Sequence, residues 1–173
     1  MSHALPTFLP GTFDVSRGIP ADYRALESFH YLPRRPATWA GVWVVRFTPD
    51  PGLSRLVAVG VLSWPVPTSV AREAFFHLRG RSYRERLQFA NQHLRTISRV
   101  VVHPQFRSLG LASLLVRRMC EHCPTRYTEA MAVMSQVHPL FEAGGMTRVG
   151  SSSPDAPDYF IHDRQPDEPL PVG

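Results

Sequence analysis

The most regular hydrophobic pattern of the chain lies in its middle, between residues 94 and 121. Residues 94–102 are rich in β-branched side chains and predict a buried strand, which ends at Pro104 because proline cannot continue a hydrogen-bonded ladder. A helix is predicted over 109–121, where apolar residues recur with helical spacing. These residues are Leu111, Leu114, Leu115 and Met119. The middle of the chain therefore predicts a strand, a tight turn and a helix.

The rest of the chain alternates between strand and helix patterns, which is typical of an α/β fold. Strands are predicted at 39–48, 55–64, 127–134, 146–150 and 159–162, with a short one within 8–15. The first two are joined by 49–52, a Pro-Asp-Pro-Gly turn that predicts a hairpin. Helices are predicted at 20–31, 69–78 and 139–143, whereas the arginine-rich stretch 79–93 fits either a helix or a long loop.

Length and composition indicate one globular domain. The 173 residues, 43% hydrophobic and 19% charged, suffice for one core. We expect a single domain over 1–164 and a proline-rich C-terminal tail over 165–173. No apolar run is long enough to cross a bilayer and no secretory signal is visible, so a cytoplasmic location without a membrane partner is expected.

The net charge and the cysteines indicate which kinds of ligand the chain is expected to bind. The net charge of +5 suits an anionic ligand, and it also suits a nucleic acid. Cys120 and Cys123 stand at the end of the predicted helix without a second pair at zinc-site spacing. We therefore expect two reduced thiols and no metal.

The turn between the central strand and its helix has the properties of an anion site. The first N–H groups of a helix have no partner within the helix, and the helix dipole adds positive charge there. Gly110 lets a ligand approach the backbone closely, and small Ala112 does the same one turn on. Arg107 adds a charged fork suited to a phosphate. The sequence thus predicts a phosphate-binding turn over 107–112.

These residues carry a resemblance to a known family. The Arg-x-x-Gly-x-Ala pattern of 107–112, after Val-Val-Val-His-Pro, resembles the acetyl-CoA pyrophosphate loop of the GNAT acetyltransferases. The segment 137–146, VHPLFEAGGM, resembles a later helix of that family. With Phe29-His30-Tyr31, the two blocks resemble most the acetyltransferase domain that some bacteria attach to ABC-type ATPases. The resemblance covers residues 98–146.

The resemblance implies a fold and a reaction. It implies a GNAT-like domain with a mixed, mostly antiparallel sheet flanked by helices and a central strand splay. It also implies acetyl transfer from acetyl-CoA, as co-substrate, to an amine of unknown identity by direct attack in a ternary complex. The implied acetyl-CoA residues are Val100, Val101, Val102, Arg107, Ser108, Leu109, Gly110, Leu111 and Ala112. His30 and Tyr31 are expected on the acceptor side.

The catalytic base is less clear from the sequence. Many relatives have a carboxylate on the central strand, but residues 96–100 contain none. Glu129 on the following strand and His138, whose ordinary pKa suits neutral pH, are the candidates. Phe141 replaces a tyrosine that in many relatives donates to the leaving thiolate. Either Ser135 or His138 takes over that donation, or the thiolate leaves without a donor.

Two other functions remain open from the sequence. The missing strand carboxylate and Phe141 favour a non-catalytic, acyl-CoA-binding regulatory module that partners an ATPase. The arginines of 79–99 favour a toxin-like acetyltransferase that acts on aminoacyl-tRNA, so RNA is a possible partner. A homodimer is expected only from the resemblance.

Overall fold

Within the described residues (10–30, 35–132, 139–151, 153, 156–169 and 171), the computed structural model folds into one seven-stranded sheet flanked by helices. The strands are β1 (Gly11–Arg17), β2 (Gly41–Pro49), β3 (Arg55–Ser63), β4 (Leu94–Val102), β5 (Tyr127–Ala132), β6 (Thr147–Gly150) and β7 (Asp158–Asp163). Their order across the sheet is β1-β2-β3-β4-β5-β7-β6. The predicted β2–β3 hairpin and the closing β6–β7 hairpin are both present and antiparallel.

Five α-helices lie within the same residues. They are α1 (Pro20–Leu26), α2 (Val70–Phe75), α3 (Tyr83–His93), α4 (Leu111–Glu121) and α5 (Leu140–Ala143). Short 3-10 turns follow α1 at Glu27–Phe29 and β4 at Pro104–Phe106. None of these helices has the length and apolar character needed to cross a bilayer.

Residues 79–93 fitted either a helix or a long loop from the sequence, and the structure shows a helix that is capped by Ser82. The Ser82 hydroxyl accepts from the Glu85 backbone N–H at 3.3 Å, and the Glu85 carboxylate accepts from the Ser82 N–H at 2.8 Å. This reciprocal capping box satisfies two of the helix's otherwise unpaired donors. The stretch is therefore a helix from Tyr83 and not a long loop.

Two predicted helices are shorter than their patterns suggest. The first is α-helical only to Leu26 and then tightens into the 3-10 turn, where the His30 N–H bonds to the Glu27 carbonyl. The second ends at Phe75 because His77 has a φ of 54°, which a continuing helix does not allow. Apolar spacing extended both predictions past residues whose backbone leaves the helix.

The central pair of strands, β4 and β5, is parallel only at its beginning. Three residue pairs join them, and Thr96 opposite Glu129 is the last. Beyond it β4 continues along β3 to Val102, whereas β5 continues along β7 to Ala132. The two strands therefore diverge, and the predicted mixed, mostly antiparallel sheet with a central splay is confirmed.

The two faces of the sheet are covered differently. On one face α4 packs a single large apolar cluster against the sheet, with Leu111, Leu115 and Met119 fully buried. On the other face there are two separate clusters. The α1 cluster joins Tyr23 and Leu26 to β2, β3 and β4, and the α2–α3 cluster joins residues 76–90 to the start of β4 and to β5 and β7.

Candidate functional site

The phosphate turn, residues 107–112, lies where β4 leads through the Pro104–Phe106 turn into α4. Gly110 caps the helix with a left-handed φ of 75°, and Ser108 also has a positive φ, of 66°. A β-carbon built on Gly110 would meet no atom within 4 Å, so the backbone there borders open space. The N–H groups that begin α4 have no helical partner. The turn therefore has the open backbone and the donors that a pyrophosphate requires.

Arg107 and His103 frame this turn. Arg107 is exposed, and its guanidinium lies 3.5 Å from the Val102 carbonyl and 3.4 Å from the Phe29 carbonyl. The His103 ring accepts a hydrogen bond from the Gln105 N–H and stacks edge-on against Phe29, with ring centres 4.8 Å apart. His103 thus shapes the turn, and Arg107 is the accessible cation beside it.

The free edge of β4 supplies backbone groups to the splay. Antiparallel strands alternate between residues that bond to the partner and residues that turn their N–H and C=O groups away from it. His103 bonds to the Val57 carbonyl at 2.8 Å, so Val101 opposite Val59 also bonds to β3. Val100 and Val102 therefore direct their backbone groups toward the splay, as an extended pantetheine chain would require.

A buried ion pair closes the base of the splay. Glu129 is completely buried and Arg72 of α2 is 2% exposed. The Arg72 Nε and Nη2 atoms donate to the two Glu129 oxygens at 2.9 and 2.6 Å. Thr96 of β4 donates to the same carboxylate at 2.7 Å, and Tyr159 of β7 donates at 2.9 Å. We call these four residues the clamp, because they join three strands and a helix at the last β4–β5 pair.

Charge and burial act in opposite directions on the pKa of Arg72 and in the same direction on the pKa of Tyr159. Burial lowers the pKa of Arg72, but the hydrogen bonds and charge of Glu129 outweigh it, so the pKa is raised overall. Burial also raises the pKa of Tyr159, and the adjacent Glu129 carboxylate raises it further. Both effects keep Arg72 charged and Tyr159 protonated, which are the states in which they donate to Glu129.

The burial and the hydrogen bonds of Glu129 affect its predicted role as a catalytic base. Its carboxylate accepts four hydrogen bonds and no surface of the residue is exposed. A general base must reach the proton that it abstracts, directly or through one water. The geometry therefore favours a positioning role at the base of the splay over the predicted catalytic one.

A β-bulge lies immediately above the clamp. Ile97 opposes Leu62 and Arg99 opposes Val61, so Ser98 is an extra residue in β4. Its hydroxyl is 2.7 Å from the Ser63 hydroxyl and 3.3 Å from the Val61 carbonyl, and Ser63 donates to the Thr38 carbonyl at 2.7 Å. Bulges bend a strand and increase its twist. This one stands where β4 leaves β5.

Some of the other predicted site residues are among the described residues and some are not. His30 is half-buried at the end of the 3-10 turn, beside Phe29 and hence close to the phosphate turn. Tyr31, Ser135 and His138 lie outside the described residues. Phe141 packs against Phe160, with ring centres 5.1 Å apart, as expected for a core residue.

Sequence reasoning missed three polar residues of the site, which are Arg72, Thr96 and Tyr159, and it did not foresee the bulge at Ser98. One signal was available, because a carboxylate at Glu129 in a strand of small and apolar residues requires a buried cation. All 19 basic residues of the chain are arginine, so its partner had to be one of those. The pattern did not indicate which one.

Cys120 and Cys123 are both free and buried, and burial raises the pKa of the Cys120 thiol to about 12. A thiol with such a pKa is protonated and unreactive at neutral pH. Among the residues that the structure describes, no three His, Cys, Asp or Glu side chains are grouped to hold a metal.

Comparison with known families points to one family. The family model described as the acetyltransferase (GNAT) family matches residues 71–143, which contain the phosphate turn, the bulge and most of the clamp. No curated protein has a sequence that matches this chain significantly.

Solved structures of several acetyltransferases are similar to this chain. The aminoglycoside acetyltransferase AAC(6')-Ib in complex with coenzyme A and kanamycin superposes with a TM-score of 0.54 and 13% identity, over 89% of this chain and 96% of that one. NAA60 from Arabidopsis thaliana in complex with acetyl-CoA superposes with a TM-score of 0.56 and 13% identity, over 89% and 99%. A protein from Corynebacterium glutamicum described as histone acetyltransferase HPA2 and related acetyltransferase superposes with a TM-score of 0.51 and 15% identity, over 86% of this chain and 94% of that one. These likenesses establish the shared fold.

Proposed function

We infer that this chain, a GNAT-superfamily acetyltransferase domain by its fold and by the family match to residues 71–143, transfers an acetyl group from acetyl-CoA to an amine. The single observation that carries this proposal is the continuity of the β4 edge with the phosphate turn. One strand turns the backbone groups of Val100 and Val102 away from β3 and toward the splay, and five residues later the same chain supplies the open turn at 107–112. Coenzyme A has the matching order of groups, a pantetheine amide chain and then a pyrophosphate.

The proposed reaction requires residues that hold both substrates, a base that accepts a proton from the amine, and a donor for the leaving thiolate. The amine nitrogen attacks the thioester carbonyl carbon, the C–S bond breaks, and the proton lost by the amine ends on a base while the thiolate gains one. Holding both partners in the splay removes much of the entropic barrier. Because the Glu129 oxygens are occupied, we propose His138 as the base, with Ser135 or His138 donating to the thiolate.

The arginine-rich stretch gives limited support to an RNA acceptor. Arg79 and Arg84 are exposed, but Arg86 pairs with Glu73 at 2.7 Å and Arg72 is inside the clamp. Part of the positive charge in 72–86 is therefore satisfied internally. An RNA, an ATPase or a second copy of the chain as a partner remains a prediction from the sequence.

A thermal-shift titration with acetyl-CoA and with coenzyme A tests the proposal. Both ligands are expected to raise the melting temperature of the parent protein, because a ligand that binds only the folded state stabilises it. Gly110→Trp should abolish the shift by filling the open backbone. Gly80→Trp is the matched control, since Gly80 also has a positive φ, of 87°, and open space where a β-carbon would stand, but lies between α2 and α3.

The outcomes separate the proposal from its alternatives. A shift in the parent and in Gly80→Trp, but not in folded Gly110→Trp, supports the site. No shift in the parent would refute coenzyme A binding. A shift without turnover on any amine would instead favour the non-catalytic acyl-CoA-binding module.

A further inference from the structure

An arginine and a tryptophan lie side by side where β3 ends and β4 begins. The last residue pair between these strands is Ser63 with Thr96, and Trp64 and Arg95 lie directly beyond it. Thr96 points into the clamp, and successive residues of a strand point to opposite faces, so Arg95 is on the α4 face of the sheet. Its guanidinium carbon is 3.6 Å from the centre of the Trp64 ring. We call these two residues the Arg–Trp stack.

The guanidinium of Arg95 is anchored through one of its nitrogens only. Its Nη1 atom donates to the Leu94 carbonyl at 2.6 Å and to the Asn91 carbonyl at 2.8 Å. Its Nε and Nη2 atoms donate to no atom of the described residues, and these residues do not fully enclose either nitrogen. The two carbonyls and the Trp64 ring therefore hold the fork formed by Nε and Nη2 in one orientation.

Two other arginines show what such a fork holds elsewhere in this chain. Arg72 donates through Nη1 to a backbone carbonyl, and through Nε and Nη2 to the two oxygens of Glu129. Arg126 also donates through Nη1 to a backbone carbonyl, and through Nε and Nη2 to the two oxygens of Asp163 at 2.8 Å each. Arg95 has the same carbonyl anchor, but its fork holds no carboxylate of the described residues.

The missing carboxylate matters because Arg95 is buried. The residue is 8% exposed, and it belongs to none of the ion pairs among the described residues. Arginines that are this buried are nearly always paired. Burial lowers the pKa of Arg95, whereas the pKa of Arg72 is raised overall because Glu129 outweighs the same effect. The fold thus holds a charged fork at its surface without an internal anion.

We propose that Arg95 binds a carboxylate of a partner protein, in a segment that carries an apolar side chain next to that carboxylate. The fork pairs with both carboxylate oxygens through two parallel hydrogen bonds. The Trp64 ring is 44% exposed and offers an apolar surface beside the fork. A carboxylate is favoured over a phosphate, because the equivalent forks of Arg72 and Arg126 both hold carboxylates.

The Arg–Trp stack is separate from the proposed acetyl-CoA site. Arg95 lies at the start of β4, whereas the phosphate turn follows the end of that strand at Val102. Seven residues of extended strand correspond to a separation of about 23 Å. A partner can therefore bind at the stack while coenzyme A occupies the turn, and the two binding events can be measured separately.

Titration of the full chain with matched peptides, followed by NMR of the isotopically labelled protein, tests this proposal. The probes are the acetylated and amidated peptide Ala-Phe-Glu-Phe-Ala and its analogue with glutamine in place of glutamate. The glutamate peptide is expected to shift the indole N–H signal of Trp64 and the Nε–H signal of Arg95. It should bind about tenfold more tightly than the glutamine peptide, and about tenfold more tightly than sodium acetate, which lacks the apolar groups.

Variants assign the binding to the Arg–Trp stack. Arg95→Gln and Trp64→Leu should each weaken binding of the glutamate peptide about tenfold, and either variant suffices if the other folds poorly. Arg17→Gln is the matched control, because Arg17 also stacks on a tryptophan, with its guanidinium carbon 4.3 Å from the Trp43 ring centre, but is exposed. The control should bind the peptide within about twofold of the parent.

Several results would overturn the inference without affecting the proposed function. One is equal affinity for the glutamate and glutamine peptides, and another is unchanged affinity in folded Arg95→Gln. Tighter binding of inorganic phosphate or of a short oligouridylate at the same signals would assign the fork to a phosphate. Acetate that binds as tightly as the peptide, or no shift with any probe, would remove the partner site. Loss of coenzyme A binding in the parent, with peptide binding retained, would instead refute the proposed function alone.

Discussion

The two halves of β4 have opposite environments although their sequences look alike. Leu94–Thr96 is paired with β5, and its last residue, Thr96, is also paired with β3 and belongs to the clamp. Residues 97–102 are paired only with β3, and Ser98 adds a bulge there. An apolar, β-branched strand is thus not by itself a buried strand. Its neighbour β5 decides which half is closed and which half is an open edge.

The closed half depends on an interaction that is costly to disturb. Two buried charges lose their hydration, and their attraction compensates only while both are present and fully hydrogen-bonded. The clamp meets this condition, because Arg72 also donates to the Val66 carbonyl at 2.8 Å and so ties down the chain after β3. The open half has no such dependence, and disturbing it should cost less.

The largest expected effect comes from removing one charge of the clamp. Glu129→Leu leaves Arg72 buried and uncompensated, and should lower the free energy of unfolding by about 3–5 kcal/mol. Equilibrium urea unfolding measures this loss. The double variant Arg72→Leu with Glu129→Leu is the control, since it removes both charges and should recover much of the stability. A double variant no more stable than Glu129→Leu would contradict the clamp as described.

A smaller effect is expected in the open half. Ser63→Ala removes the partner of Ser98 but leaves that hydroxyl its contact with the Val61 carbonyl, so about 1 kcal/mol of stability should be lost. The urea midpoint should move without a change in slope. A loss as large as that of Glu129→Leu would show that both halves are equally sensitive, and would remove the distinction between them.

The smallest effect on stability is expected outside both halves of β4. There Arg126 donates hydrogen bonds to the Asp163 carboxylate and to carbonyls of the C-terminal segment. Burial raises the pKa of Asp163, but hydrogen bonds from Arg126 and the Gln165 N–H outweigh it, so the pKa is lowered. A carboxyl with a lowered pKa stabilises the fold above its unfolded pKa of about 3.9, and that stability is lost as the pH falls through the folded pKa.

Urea midpoints of the parent and of Asp163→Asn between pH 6 and pH 3 measure this contribution. The parent should be more stable by at most about 1 kcal/mol at pH 6, and the difference should shrink on acidification below about pH 4. A difference that grows on acidification would have the wrong sign for a lowered pKa. Arg126 also donates to the carbonyls of Gln165, Glu168 and Pro169, so part of the predicted tail is attached to the domain.

Local patterns were sufficient for much of the fold. The spacing of apolar residues predicted α4, and the turn residues around Pro49–Gly52 predicted the β2–β3 hairpin, because both signals act over a few neighbouring residues. The turn from β4 into α4 was predictable for the same reason. Gly110 adopts the left-handed φ of 75° that begins α4 without the steric cost that a side chain would add.

The sequence by itself therefore determined the α/β class, the order of the central elements and the turn from β4 into α4, since each depends on residues close together in the chain. Only the tertiary structure decided which arginine pairs with Glu129, because Arg72 is 57 residues away and nothing local distinguishes it from the other eighteen. It also decided the side of the sheet on which Arg99 lies, since one bulge at Ser98 changes the alternation of side chains. Burial and charge pairing between distant segments are the physical reason for both.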